Sequence, residues 1–237
     1  MISPIPSPRR FLLLCSMFAS AFGLASPAVF AQPQTGVETI TSGGVERSYL
    51  LYVPEAYRGD PAPLVLNFHG SGGVPENQLR TSGFGELADR EGFVVAFPAG
   101  AFTNSVTARS WNANVEAGVD DVQFARDVIA DVSSKLRIDA SRIYATGFSG
   151  GARMTSRLAC ELADTLAAAA PVSGLQYPDG CTLVHAMPII TFHGKADQGT
   201  GCRDGAEIAF YVIEDGRHTW PPGASELIWA FFEQHPR

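Results

Sequence analysis

The chain has 237 residues, of which 46% are hydrophobic and 17% are charged, and its formal net charge at pH 7 is −7. This composition excludes a disordered polymer, a collagen and a coiled coil, and four cysteines are too few for a disulfide-built scaffold of this length. The negative charge argues against a nucleic-acid partner, because binding to phosphates rewards a surplus of Lys and Arg.

The amino-terminal segment has the features of a secretory signal. Arg9 and Arg10 precede an apolar run that is too short to span a bilayer, and small residues suit cleavage after Ala31. The alternative is a membrane anchor, although small residues and a proline interrupt the run. We therefore predict a signal peptide at 1–31, a single domain at 32–237, a secreted protein (extracellular or periplasmic) and no stable membrane insertion after cleavage.

Apolar runs alternate with helical periodicity along the remaining chain. Buried or alternating runs predict strands, and apolar residues spaced by three and four predict helices. The predicted strands lie at 47–53, 64–68, 93–97, 143–146, 166–172, 189–192 and 207–213, and the helices at 78–90, 122–136, 150–162 and around 227–232. This alternation predicts an α/β fold with a mainly parallel sheet and helices on both faces. Ligands of such folds bind at the carboxyl ends of the strands.

A glycine-rich turn follows the predicted strand at 143–146. Its sequence, Gly147-Phe148-Ser149-Gly150-Gly151, is G-x-S-x-G between a strand and a helix. Small neighbours permit the sharp turn that exposes a nucleophile, and the N–H groups at the start of the next helix face a developing oxyanion. The alternative is an ordinary serine in a glycine-rich turn. We predict that Ser149 is a nucleophile.

A second glycine-rich loop, starting at His69, follows the predicted strand at 64–68. Such a loop can place backbone N–H groups beside the nucleophile. A dinucleotide-binding loop is the alternative, but Pro75 occupies the third glycine position of G-x-G-x-x-G counted from Gly70. We therefore expect no cofactor.

A serine nucleophile needs a base, and the base needs an acid to orient it. In folds of this kind the chain order is serine, acid, histidine. Asp197 follows the predicted strand at 189–192, and His218 follows the strand at 207–213. The plainer alternatives are a turn aspartate and a surface histidine. We predict Asp197 as the acid and His218 as the base.

Other polar and aromatic residues offer weaker signals. Asp120 and Asp121 could ligate a metal, but their place before a helix favours a cap, and we expect no metal site. Trp111 fits core packing at least as well as a substrate pocket. Trp220, two residues after His218, is the better candidate for substrate binding.

Eight stretches of the chain carry a family resemblance over nearly all of residues 45–236. They are RSYLLYVP at 47–54, LNFHGSGG at 66–73, ADREGF at 88–93, SWN at 110–112, VDDV at 119–122, ATGFSGG at 145–151, FHGKAD at 192–197 and HTWP at 218–221. The chain thereby resembles the secreted α/β-hydrolases of the polyhydroxybutyrate depolymerase/feruloyl esterase-like family. The resemblance implies the same nucleophile, acid and base, with no cofactor or metal.

Cysteine usage agrees with export. Removal of the signal leaves Cys160, Cys181 and Cys202, so one pair should be bridged and one thiol left over. The resemblance implies that the bridge joins Cys160 and Cys181.

The chain departs from the family pattern after Asp197. Proteins that it resembles carry several tens of residues between that acid and the last cysteine-containing strand, whereas only residues 198–201 separate Asp197 from Cys202 here. We interpret this as an α/β-hydrolase fold shortened between its last two strands by an apparent internal deletion. His218 reaches the acid only if the last strand runs parallel to its neighbour, and nine extended residues, about 30 Å, suffice for the return. The short connection should leave part of a sheet face bare.

These observations predict a secreted serine carboxylic-ester hydrolase that acts on a polyester or on feruloyl or acetyl esters of plant polysaccharide. Backbone N–H groups near Ser71 and of Gly150 would form the oxyanion hole. The partner is an ester, small or polymeric, and not a nucleic acid. Two alternatives stay open: a catalytically impaired or truncated hydrolase-like protein, and a serine peptidase with the same triad.

Overall fold

The computed structural model describes residues 35–102, 109–113, 118–176, 178, 180–181, 185–194, 208–214 and 216–237. All of them belong to one compact unit, Gln32–Arg237. The predicted signal peptide, Asp197 and Cys202 lie outside the described residues. None of the helices within the described ranges has the length and apolarity that a membrane span requires.

Strands and helices alternate through the described residues. The strands are β1 Gly36–Ser42, β2 Val45–Tyr52, β3 Ala62–Phe68, β4 Val94–Pro98, β5 Ala101–Phe102, β6 Arg109–Ser110, β7 Ile138–Phe148, β8 Ala168–Val172, β9 Ile189–Gly194 and β10 Ile208–Ile213. The helices are α1 Pro75–Ser82, α2 Phe84–Glu91, α3 Asp121–Lys135, α4 Gly150–Glu161 and α5 Ala224–Glu233.

The main sheet is mostly parallel. Its strand order is β1-β2-β4-β3-β7-β8-β9-β10, and only the β1–β2 and β2–β4 pairs of this described sheet are antiparallel. Strands β5 and β6 form a separate short antiparallel pair. This arrangement confirms the predicted fold class, and it brings the carboxyl ends of β3, β7, β8, β9 and β10 to one edge.

Each face of the sheet is covered by its own hydrophobic cluster. Along β3, Leu64 and Leu66 pack in the cluster that contains α3 and α4, whereas Val65 packs in the cluster that contains α2 and α5. Successive side chains of a strand point to opposite faces, so a strand that is buried on both sides is apolar at most of its positions. The continuous apolar runs of the sequence therefore follow from two-sided burial.

The structure differs from the sequence prediction in two elements before β4. The single helix predicted at 78–90 is two helices, because Gly83 adopts a left-handed φ of 62° and its N–H bonds to Leu79 O. Strand β1 was not predicted; it pairs with β2 through a two-residue turn in which Gly43 and Gly44 have φ of 57° and 78°. Paired positive φ values match the right-handed twist of a hairpin, so Gly43-Gly44 was the available signal.

The last strand runs in the direction that the proposed base requires. β10 pairs parallel with β9, in a register that aligns Ile208 with Ile189. Residues 195–207, which connect the two strands, lie outside the described residues. Phe210 and Val212 on β10 are each 49% exposed, which agrees with the predicted bare part of the sheet.

A disulfide joins the end of α4 to the chain after β8. Cys160 and Cys181 are bonded, with 5.8 Å between their Cα atoms and a sequence separation of 21 residues, as the family resemblance implied. We expect the double variant Cys160→Ala/Cys181→Ala to lose about 2–4 kcal/mol of unfolding free energy, because the bridge restricts the unfolded chain.

Urea unfolding with and without reductant measures this contribution. Reductant should lower wild-type stability by about the same amount as the double substitution, and it should leave the variant unchanged. Equal stability of wild type and variant would contradict the prediction.

Candidate active site

Ser149 occupies a strained turn between β7 and α4. Its φ of 53° and ψ of −110° lie outside the regions that non-glycine residues normally adopt. Two backbone hydrogen bonds hold it there: the Ser149 N–H donates to Val172 O at 2.9 Å, and Arg153 N–H donates to Ser149 O at 3.1 Å. Such strain persists only where the surroundings impose it, and it presents the side chain at the strand end.

The glycines around Ser149 are required by close backbone approaches. A Cβ on Gly151 would lie 2.2 Å from Phe68 O and 2.6 Å from His69 O. A Cβ on Gly147 would lie 2.6 Å from Gly151 O. Any larger residue would separate α4 from the end of β3, so the glycines bring the turn at Ser149 against the loop that starts at His69.

The structure places His218 beside Ser149. His218 Nε2 lies 2.7 Å from Ser149 Oγ, which is hydrogen-bonding distance. The His218 ring also packs against Phe148, with 5.0 Å between ring centroids. The two residues are 69 positions apart in the sequence, and their side chains meet because both residues follow strands of the same mostly parallel sheet.

Two contacts hold the loop that carries His218. Ser173 Oγ, just after β8, donates to Thr219 O at 3.1 Å. Gly194 ends β9 so close to the next loop that a Cβ there would lie 2.4 Å from Gly216 O. The loop after β10 is therefore packed on the ends of both β8 and β9, on the same edge as Ser149.

Backbone groups of two glycine-rich segments lie next to Ser149. A Cβ on Gly150 would lie 3.0 Å from Ser71 N and 2.3 Å from Ser71 Oγ, so these two segments touch. The loop of Ser71 is itself fixed, because Gly73 N–H donates to Gly70 O and Gly72 N–H donates to Arg109 O. Fixed backbone donors beside a serine can stabilise negative charge on a reacting carbonyl oxygen.

The buried side chain of His69 supports the loop of Ser71, a role that the sequence analysis did not predict. It is buried, its Nδ1 lies 2.7 Å from Gly70 O, and its Nε2 accepts a hydrogen bond from Gly100 N–H at 3.0 Å. A carbonyl oxygen only accepts, so the proton sits on Nδ1 and the ring is neutral. Burial lowers the pKa of His69 below its ordinary value of 6.5.

This burial predicts a pH dependence of stability. Because the folded state binds the His69 proton more weakly than the unfolded state, stability should fall as pH drops below about 6.5, with a slope of at most about 1.4 kcal/mol per pH unit. We expect wild type to lose more unfolding free energy than His69→Gln does between pH 7 and pH 5. Urea unfolding at both pH values measures the difference, and parallel losses would contradict the prediction.

The remaining candidates have packing or capping contacts. Trp220 Nε1 donates to Ser225 Oγ at 3.0 Å, and its ring packs edge-on against Phe84. These contacts hold the ring in place, and substrate binding by Trp220 stays a prediction. Asp120 caps α3 by accepting from two backbone N–H groups, and Asp121 pairs with Arg47 at 2.7 Å. Within the described part of the chain, no three His, Cys, Asp or Glu side chains are grouped to hold a metal ion.

A small polar cavity adjoins the turn at Ser149. Its volume is about 190 Å³, and the residues that line it include Ser71, Ser110, Trp111, Asn112, Gly150 and Arg153. Trp111 is mostly buried there and donates from Nε1 to His69 O at 2.8 Å. Sequence reasoning did not single out Arg153; its place one helical turn after Ser149 was the only signal.

Comparison with known proteins gives consistent matches. The sequence model of the family described as Esterase PHB depolymerase matches residues 47–208. The chain is 35% identical to feruloyl esterase B of Piromyces equi over 158 residues, covering 64% of this chain and 29% of that protein. It is 31% identical to the bifunctional acetylxylan esterase/xylanase XynS20E of Neocallimastix patriciarum over 154 residues, covering 65% and 22%. The chain thus spans less than a third of either relative.

Solved structures agree on the fold. A thermostable esterase superposes with a TM-score of 0.63 at 20% sequence identity, covering 86% of this chain and 64% of that one. At this identity the likeness establishes the fold alone.

Proposed function

Because the chain belongs to the Esterase PHB depolymerase family, we propose that it is a secreted serine carboxylic-ester hydrolase with Ser149 as nucleophile, His218 as base and Asp197 as acid. The observation that carries the proposal is the 2.7 Å contact between His218 Nε2 and Ser149 Oγ at a strained strand–helix turn. A nucleophile and base within hydrogen-bonding distance are the core of every serine hydrolase site.

The reaction proceeds through an acyl-enzyme. Ser149 Oγ attacks the ester carbonyl while His218 Nε2 accepts its proton; the bond to the alcohol oxygen breaks, and His218 returns the proton to the leaving alcohol. Water then attacks the acyl carbon with His218 again as base, which releases the carboxylic acid and restores the serine. Backbone N–H groups of Ser71 and Gly150 hold the oxyanion in both steps.

Chain position supports Asp197 as the orienting acid. It follows Gly194, the last residue of β9, by three residues in the sequence. Gly194 is in close contact with Gly216, which precedes His218 by two residues. An acid that follows β9 at this spacing starts from the edge of the sheet where the base lies. Its carboxylate would hold the imidazole in the productive tautomer and stabilise the imidazolium.

The names of the family and of the relatives indicate which esters to test as substrates. Those names point to polyhydroxybutyrate-type polyesters and to feruloyl or acetyl esters of plant polysaccharide. The secreted protein can be tested for hydrolysis of a polyester film, of feruloylated arabinoxylan and of acetylxylan, and the fastest reaction identifies the substrate class. A peptide substrate is the control for peptidase activity. The secreted form should begin at Gln32.

Labelling with a fluorophosphonate tests the nucleophile directly. The reagent forms a covalent phosphonyl adduct with an activated serine, and peptide mapping should place that adduct on Ser149. The variants Ser149→Ala and His218→Ala should take up no label while they remain folded. Folded wild-type protein that takes up no label would overturn the proposal and favour the catalytically impaired hydrolase-like alternative.

A further inference from the structure

Arg153 is placed to contact a substrate bound at Ser149. Its backbone N–H donates to Ser149 O at 3.1 Å, which sets it one turn along α4. Its side chain is exposed and lines the 190 Å³ cavity together with Ser71 and Gly150. Arg153 therefore shares a cavity with both backbone segments of the proposed oxyanion hole.

Arg153 also lacks a counter-ion within the part of the chain that the structure describes. Five other arginines there form ion pairs with carboxylates, namely Arg47, Arg90, Arg126, Arg142 and Arg157. No described carboxylate lies within 4.0 Å of Arg153, although the chain carries a net charge of −7. The neighbouring lining residues Ser71, Ser110 and Asn112 add neutral polar groups. A cation in a polar cavity without its own anion can bind an anion from outside.

The residues that line the cavity include those of the proposed oxyanion hole and none of the described residues in the loop of the base. His218 must return a proton to the leaving alcohol, so the alcohol portion of the ester has to lie on the side of His218. None of the described residues from 216 to 220 lines the cavity, whereas Ser71 and Gly150 both do. An ester bound with its alcohol beside His218 would therefore have its acyl group, and not its alcohol, on the side of the cavity.

We propose that this cavity is a subsite for a carboxylate at the far end of the acyl group, bound by Arg153, so that monoesters of short dicarboxylic acids are preferred substrates. The inference rests on the proposed esterase function and deepens it. Arg153 starts one helical turn, a rise of about 6 Å, from Ser149, and its long side chain can bring the guanidinium to a carboxylate at the far end of a short acyl chain. Arg153 would bind the free carboxylate through its two-pronged guanidinium while the ester carbonyl lies at Ser149.

Two isosteric substrates isolate the charge. Monoethyl succinate and ethyl succinamate differ only by a carboxylate in place of a neutral amide, and their ethanol leaving group keeps spontaneous hydrolysis slow. We expect wild type to favour the succinate ester in kcat/KM by about tenfold, as for one charge-assisted contact. Arg153→Gln should remove this preference and Arg153→Lys should keep part of it. High salt should weaken the wild-type preference.

Arg237→Gln is the matched control. It removes the same charge at the opposite end of the sheet, where Arg237 N–H bonds to Ser141 O near the start of β7, so it should keep the wild-type preference. The proposed subsite is wrong, and the esterase proposal is unaffected, if wild type cleaves 4-nitrophenyl acetate but does not prefer monoethyl succinate over ethyl succinamate. The same conclusion follows if Arg153→Gln retains the wild-type preference for the succinate ester. If wild type cleaves none of the three esters and takes up no fluorophosphonate, both proposals are overturned.

Discussion

Replacing Ser149 by alanine is expected to lower kcat for a short-chain ester by about four to six orders of magnitude. The variant removes the atom that forms the acyl-enzyme, while the contacts of the turn are made by the Ser149 backbone and persist. Backbone strain at φ of 53° is equally present in both proteins, so folding should be unaffected. Initial rates with 4-nitrophenyl acetate, together with circular dichroism to check the fold, measure the effect.

Two further variants separate a nucleophile from a general disturbance of the site. Ser149→Ala/His218→Ala should be no slower than Ser149→Ala alone, because groups that act as a unit are not additive. Ser173→Ala should retain activity within about tenfold, since it removes only one hydrogen bond to the loop of His218. Ser173 is a close match, because it too is a serine with φ of 53° at the end of a strand. An equally deep loss in Ser173→Ala would contradict the assignment.

Replacing Asp121 by alanine is expected to cost about 3–5 kcal/mol of unfolding free energy. Asp121 pairs with Arg47 at 2.7 Å, and the two side chains are 0% and 5% exposed. Arg47 also donates to Ala99 O and covers the ring of Phe124, so its guanidinium cannot turn to water. Removal of one partner leaves an uncompensated buried charge, which costs far more than the net contribution of the intact pair.

The effect should extend to the cavity beside Ser149. The second carboxylate oxygen of Asp121 accepts from Asn112 N–H at 2.6 Å, and Asn112 lines the cavity. Urea unfolding measures the stability, and the double variant Arg47→Met/Asp121→Leu should recover part of the loss because it leaves no charge behind.

An exposed ion pair provides the matched control for Asp121→Ala. Arg90 and Glu226 lie 3.5 Å apart with side chains 54% and 61% exposed, so Glu226→Ala should change stability by less than about 0.5 kcal/mol. Similar losses for Asp121→Ala and Glu226→Ala would show that burial does not govern the Arg47–Asp121 pair.

The errors in the predicted elements have a common physical origin. Hydrophobic periodicity reports which residues are buried and not where a helix ends, so the predicted helix ran through Gly83; that glycine, which ends α1 in a left-handed conformation, was the available signal. Strand β1 has one face towards solvent and few large apolar residues, so burial leaves only a weak pattern there. The hydrogen bond of His69 to Gly100 and the buried pair of Asp121 with Arg47 were not predicted for a related reason: these partners are far away in the chain.

The amino-acid sequence alone determined the alternation of strands and helices and the strand–turn–helix context of Ser149, because burial pattern and turn chemistry are local properties. The folded arrangement was needed to show that β10 runs parallel to β9, that His218 reaches Ser149, and that Arg153 shares a cavity with Gly150 and Ser71. Strand direction and side-chain proximity depend on which distant segments pair across the sheet. No local pattern encodes that pairing; it is selected by the burial of the whole core.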